Sequence, residues 1–148
     1  MDDKPLHIIL ADDDESDRLL FKSAFEELKF KTIIHMVKDG KQLMEYLTLT
    51  NDPLPHLLFL DLNMPRKNGL ECLMGIRSSN KLKDILIAIY STSASESDIK
   101  ETFRRGANIY IKKPDDFNVL KQTLCKAVVA TFQYQQQGLN KEDFLLKI

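Results

Sequence analysis

Three aspartates, Asp12, Asp13 and Asp61, stand where short apolar runs end. His7-Ile8-Ile9-Leu10-Ala11 leads into the first two, and His56-Leu57-Leu58-Phe59-Leu60 leads into the third. Carboxylates gathered in one place repel one another unless a hard cation holds them, and an oxygen-only set suits Mg²⁺. Two later apolar runs end in complementary groups. Ile85 to Tyr90 delivers the hydroxyls of Ser91 and Thr92, while Asn108 to Lys112 delivers Lys113, followed by Pro114. An acid pair, a lone acid, a hydroxyl and an ammonium form the set that accepts and holds a phosphoryl group.

These groups converge only if the apolar runs are neighbouring strands. Short apolar runs bounded by breakers read as parallel strands covered on both faces. In open α/β sheets the ligand crevice lies at the carboxyl ends of such strands. Helix-like segments separate the runs. Glu15 to Lys29 carries Leu19, Leu20, Ala24, Phe25 and Leu28 at helical spacing, and Thr32 to Val37 reads as a second strand. Asp39 caps a second helix bearing Leu43, Met44 and Leu47, and Asn51 to Pro55 is a loop. Leu70, Leu73, Met74 and Ile76 mark a third helix that ends near Asn80. The fourth runs from about Glu96 to Arg105 and closes at Gly106, and the fifth from near Asp115 to about Gln136.

Five such β/α units predict an α/β fold with a doubly wound, five-stranded parallel sheet and helices on both faces. The flavodoxin-like order 2-1-3-4-5 is favoured, because it sends to the edge the second strand, which ends without a reactive group. Residues 1–136 then make a single domain, and residues 137–148 form a C-terminal tail with no effector domain.

Composition narrows the function. The chain has 148 residues and a formal net charge of -1, so neither nucleic acid nor an anionic membrane is an expected partner. No apolar stretch approaches the roughly 20 residues that cross a bilayer, and the acidic start is unlike a signal peptide. Cys72 and Cys125 are isolated from each other and from His, which argues against zinc or a disulfide framework and for a cytoplasmic protein. His7, His35 and His56 lie at or within strands, away from the reactive ends, and read as structural. No glycine-rich phosphate loop follows the first strand.

The set Asp12-Asp13, Asp61, Ser91 and Lys113-Pro114 resembles that of bacterial response-regulator receiver domains of two-component systems, over about residues 6 to 132. Asp61 to Ser91 is 30 residues and Ser91 to Lys113 is 22, as is typical of receivers. Asp61-Leu62-Asn63-Met64-Pro65, with Gly69 after it, looks most like stand-alone receivers that partner phytochrome-type histidine kinases. The resemblance implies a CheY-like fold and a phosphorelay role. Asp61 becomes the phosphoacceptor, and Asp13 ligates Mg²⁺ directly. Asp12 helps, and the backbone carbonyl of Asn63 supplies another oxygen. Lys113 pairs with a phosphoryl oxygen across a cis-capable Lys113–Pro114 bond, Ser91 hydrogen-bonds the phosphoryl group, and Thr92 offers its backbone N–H. Tyr110 is the switch aromatic, moving between exposed and buried positions.

Output is expected through the fourth helix, fifth strand and fifth helix, toward a downstream protein target or a phosphotransfer protein. On the fifth helix Leu120, Leu124, Ala127 and Val128 make a core face, while Cys125, Val129 and Phe132 make a second stripe. That stripe suits a homodimer through helices 4 and 5, or cover by Phe144-Leu145-Leu146 of the tail. Two rival functions exist. A haloacid-dehalogenase-like phosphatase also uses a strand-end Asp but needs a carboxylate two residues later, where this chain has Asn63. A phosphorylation-independent interaction module would lack an essential group, and none is lacking. The expectation is a signalling protein with slow self-dephosphorylation only.

Overall fold

Burial pattern separates the strands by their place in the sheet. β3 (Leu57–Leu60) and β4 (Leu86–Ser91) are buried at every position, as central parallel strands must be. β1 (Leu6–Ala11) is nearly so, whereas β2 (Thr32–Val37) alternates between partial burial and exposure, the mark of an edge. With β5 (Ile109–Lys112) and a two-residue β6 (Leu146–Lys147), the parallel sheet has the order β2-β1-β3-β4-β5-β6. The computed structural model describes residues 4–137 and 146–147.

The five expected strands and their order 2-1-3-4-5 are present, and β6 is an addition beyond β5. Leu146 pairs with Ile109 and Lys147 with Tyr110. Two residues carry no readable periodicity, so the sequence gives no sign of this strand. Phe144 and Leu145, expected to fold back on the fifth helix, lie outside the described residues.

Helices α1 (Glu15–Glu27), α2 (Gly40–Leu49), α3 (Gly69–Arg77), α4 (Glu96–Arg104) and α5 (Phe117–Gln137) cover the sheet. Each start is fixed by a side chain. Asp14, Asp39, Asn68 and Ser95 accept the N–H groups of Asp17, Gln42, Glu71 and Asp98, and the Asp116 carboxylate accepts that of Val119. α4 stops at Gly106, whose φ of 108° is costly for a residue with a Cβ.

One cluster, packed under α1 and α5, joins Ile8, Leu10, Phe21, Phe25, Phe59, Tyr90 and Leu124. The other, under α2 and α3, joins Ile9, Leu43, Leu58, Leu73, Ile87 and Tyr110. The apolar face of α1 differs from expectation. Leu19 and Leu20 are 57% and 48% exposed, and Phe21 is the buried anchor, with its ring 5.0 Å from those of Phe25 and Phe59. Phe21, Ala24 and Phe25 already complete the inward stripe, so the two leucines fall outside it. The histidines are structural: His56 Nδ1 accepts the His7 N–H, and His35 stacks on Tyr46 at 4.1 Å.

Candidate phosphoacceptor site

Parallel pairing brings the strand ends level. Ala11 pairs with Leu60, so Asp12 and Asp61 leave adjacent strands side by side, and the Asp61 N–H donates to the Ala11 carbonyl. Ser91 pairs with Lys112, and the Lys113 N–H donates to the Ser91 carbonyl at 2.8 Å. Lys112 is exposed while Lys113 turns inward, as strand alternation requires. The Lys113–Pro114 bond, a cis candidate in the sequence, is trans.

Lys113 Nζ ends among carboxylates. It lies 2.8 Å from Asp12 Oδ2, 2.8 Å from Asp17 Oδ2 and 3.1 Å from Asp61 Oδ2, and 5.4 Å from the centre of the Tyr90 ring. Burial alone would lower its pKa, but hydrogen bonds to Asp12 and Asp17 overcome that and hold the ammonium above its ordinary range. Asp12 is fully buried. Its desolvation pushes the carboxyl up to about 6, partly offset by Lys113 and by the Asp14 N–H on Oδ1. Burial also raises the Tyr90 phenol, whose ring lies beneath the Lys113 ammonium.

The residues fit a hard divalent cation. Carboxylate oxygens of Asp12, Asp13 and Asp61 all lie within 4.8 Å of one another, and no nitrogen or sulfur ligand joins this group among the described residues. Asp12 Oδ2 is buried and is met by the Lys113 ammonium at 2.8 Å, which leaves further lone-pair capacity on this oxygen for a cation. Asn63 is exposed, two residues beyond Asp61, and its N–H donates to Asp61 Oδ1 at 3.2 Å. The turn needs Gly69, since a Cβ there would lie 2.2 Å from the Asp61 carbonyl oxygen.

Ser91 is fully buried at the end of β4, but its oxygen accepts the Ser93 N–H at 3.2 Å. Ser93 Oγ donates to Asp98 on α4 at 2.6 Å, and the Tyr110 hydroxyl donates to the Ser93 carbonyl at 2.8 Å. Tyr110 is buried and tied to the loop between β4 and α4. Thr92 is exposed.

Two groups in the site escaped the sequence reading. Asp17 reaches Lys113 from the first turn of α1, and Arg18 Nη1 donates to the Asp12 carbonyl at 2.9 Å. Their position, one turn after the strand-end acids, was the available signal. A first-turn acid, however, is ordinarily a partner of the helix macrodipole.

The family model of the response regulator receiver domain matches residues 8–125. The chain belongs to this family. The probable methanogenesis regulatory protein FilR2 of Methanothrix harundinacea is 34% identical over 123 residues, covering 81% of this chain and 79% of that protein. Response regulator Rcp1 of Synechocystis sp. is 34% identical over 116 residues, covering 74% of this chain and 77% of that one. Among solved structures, the phosphorylated cyanobacterial phytochrome response regulator RcpA superposes with a TM-score of 0.78 at 30% identity, covering 93% of this chain and 98% of that one. The Mn²⁺-bound form of Rcp1 gives 0.77 at 25%, covering 92% and 98%. This receiver is thus a two-component response regulator, a signalling protein of the phosphorelay class rather than an enzyme. The phosphatase alternative is not favoured.

Proposed function

We propose that Asp61 of this receiver accepts a phosphoryl group from a sensor histidine kinase, with Mg²⁺ held by Asp12, Asp13, Asp61 and the backbone carbonyl of Asn63. The observation that carries the reading is the Lys113 ammonium 3.1 Å from Asp61 Oδ2, beside three clustered carboxylates. A bound Mg²⁺ supplies positive charge against the carboxylates and the incoming phosphoryl oxygens. A carboxylate oxygen of Asp61 bonds to phosphorus as the P–N bond to the donor imidazole breaks. The bonding pair stays on the ring nitrogen, and an acyl phosphate remains on Asp61. Lys113 pairs with a phosphoryl oxygen, and the Thr92 backbone N–H serves another.

Switching follows from Ser91. Its hydroxyl leaves the Ser93 N–H for a phosphoryl oxygen, so the loop that Ser93 and Tyr110 hold together redistributes, and α4 shifts with it through Asp98. The output face is α4, β5 and α5, read by a downstream protein target or a phosphotransfer protein. A homodimer through α4 and α5 is part of the proposal, supported by the exposure of Val129 and Phe132. Self-dephosphorylation is slow, because Asn63 offers an amide where a phosphatase has an acid. No described helix is long and apolar enough to cross a membrane. We place the protein in the cytoplasm, with one receiver module over residues 1–136 and residues 137–148 as a tail. A phytochrome-type kinase as donor is supported by the likeness to RcpA.

Beryllofluoride, which mimics the phosphoryl group, tests the reading by fluorine NMR. Binding is expected only with Mg²⁺ and is lost in Asp61→Asn. Binding that persists without the cation or without Asp61 contradicts it.

A further inference from the structure

Asp17 is the carboxylate of this site that the proposed chemistry leaves without a task. Its Oδ2 lies 2.8 Å from Lys113 Nζ, as close as Asp12 and closer than Asp61. It stands outside the group of carboxylates whose oxygens converge to hold a cation. Its backbone is locked, because the Asp17 N–H donates to the Asp14 cap at 2.9 Å. Its charge is tolerated, because it sits in the first turn of α1 and its side chain is 30% exposed. The neighbouring Arg18 guanidinium is turned to the Asp12 carbonyl. Lys113 itself is 9% exposed, so its ammonium needs a partner in every state of the site.

Asp12, Asp13, Asp17 and Asp61 bring four negative charges to one ammonium. A divalent cation on Asp12, Asp13 and Asp61 offsets two of their three charges and repels Lys113, whereas the charge of Asp17 stays uncompensated. Lys113 then has one full-strength partner, and that partner is on the rim. From the reading of Asp61 and Lys113 given above, we infer that Asp17 is a positioning residue that tethers Lys113. It keeps the ammonium docked beside Asp61 when the cation has weakened the other two ion pairs, and releases it to the phosphoryl oxygen as that charge arrives.

The test uses the full chain and Asp17→Asn, which preserves size and the backbone bond to Asp14. Amine labelling of Lys113 is followed by peptide mass spectrometry, with exposed Lys112 as internal control. Without Mg²⁺, Lys113 is protected in both proteins by Asp12 and Asp61. With Mg²⁺ it stays protected in the unsubstituted chain and labels about three- to tenfold faster in Asp17→Asn, the worth of one charge-assisted bond partly open to solvent. Phosphorylation by acetyl phosphate slows by the same factor in Asp17→Asn, but changes by less than about twofold when Lys113→Ala is already present. Equal labelling in Mg²⁺, or equal slowing in both backgrounds, overturns the tether. If the unsubstituted chain takes no phosphoryl group at all, the proposed function fails, and the labelling comparison still decides the role of Asp17.

Discussion

Asp12 combines full burial with a carboxyl pushed up to about 6, from an ordinary value of 3.8. The folded chain therefore binds this proton more tightly than the unfolded chain. The resulting stabilisation is complete below about pH 4 and is lost as pH rises through 6. Asp12→Asn removes that dependence. In metal-free protein it should be the more stable form at pH 7, by an amount on the order of 3 kcal/mol that vanishes toward pH 4. Chemical denaturation at several pH values measures the difference; a constant offset would show that Asp12 is not strained by its burial. Mg²⁺ should reverse the order once it is present at about 1,000 times its dissociation constant, where binding adds about 4.1 kcal/mol to the form that holds it. A melting temperature of the unsubstituted chain that ignores both Mg²⁺ and chelator would contradict this. Asp12, Asp13, Asp61 and Lys113 were legible in the sequence because each ends an apolar run. Asp17 was not, since nothing local distinguishes a side chain that reaches across to β5 from one that faces solvent.

Two loops translate residues into a site. The β3–α3 turn passes so close to Asp61 that Gly69 is required. Gly69→Ala should cost roughly 1–3 kcal/mol and weaken beryllofluoride binding, since the backbone that carries Asp61 must move. An unfolding midpoint within error of the original would show that the turn yields freely. The β4–α4 loop is held by the Tyr110 hydroxyl on the Ser93 carbonyl. Tyr110→Phe removes one hydrogen bond and should cost about 1 kcal/mol while leaving phosphoryl uptake intact. If uptake fails in that variant, Tyr110 belongs to the acceptor chemistry and not to the switch. The start of α2 was readable because Asp39 is a good cap, while the caps Asn68 and Ser95 emerge only in the structure. The rotation of α1 was not. Leu19-Leu20-Phe21 offers three adjacent large apolar residues, and only the packing against Phe59 and Tyr90 selects Phe21.

At the scale of the molecule, strand order is what turns five separate chain segments into one site. That order was favoured in the sequence, because it keeps the strand without a reactive end at the edge. What covers the far edge was not deducible, since β6 is two residues long. Val129 and Phe132 stand 41% and 39% exposed on α5, near Phe30, whose ring lies 6.4 Å from Phe132. Sedimentation of the full chain should show a dimer that Val129→Glu converts to monomer without loss of beryllofluoride binding. A monomer at every concentration would remove the homodimer and leave the acceptor site untouched. The central claim is that groups from β1, β3, β4 and β5 meet to capture phosphorus on one carboxylate. Its most direct test is peptide mass spectrometry after incubation with acetyl phosphate and Mg²⁺. A single alkali-labile, hydroxylamine-sensitive phosphoryl group is expected on the peptide that contains Asp61, absent with chelator and absent in Lys113→Ala at short times. A phosphoryl group on any other residue, or none on Asp61, would contradict it.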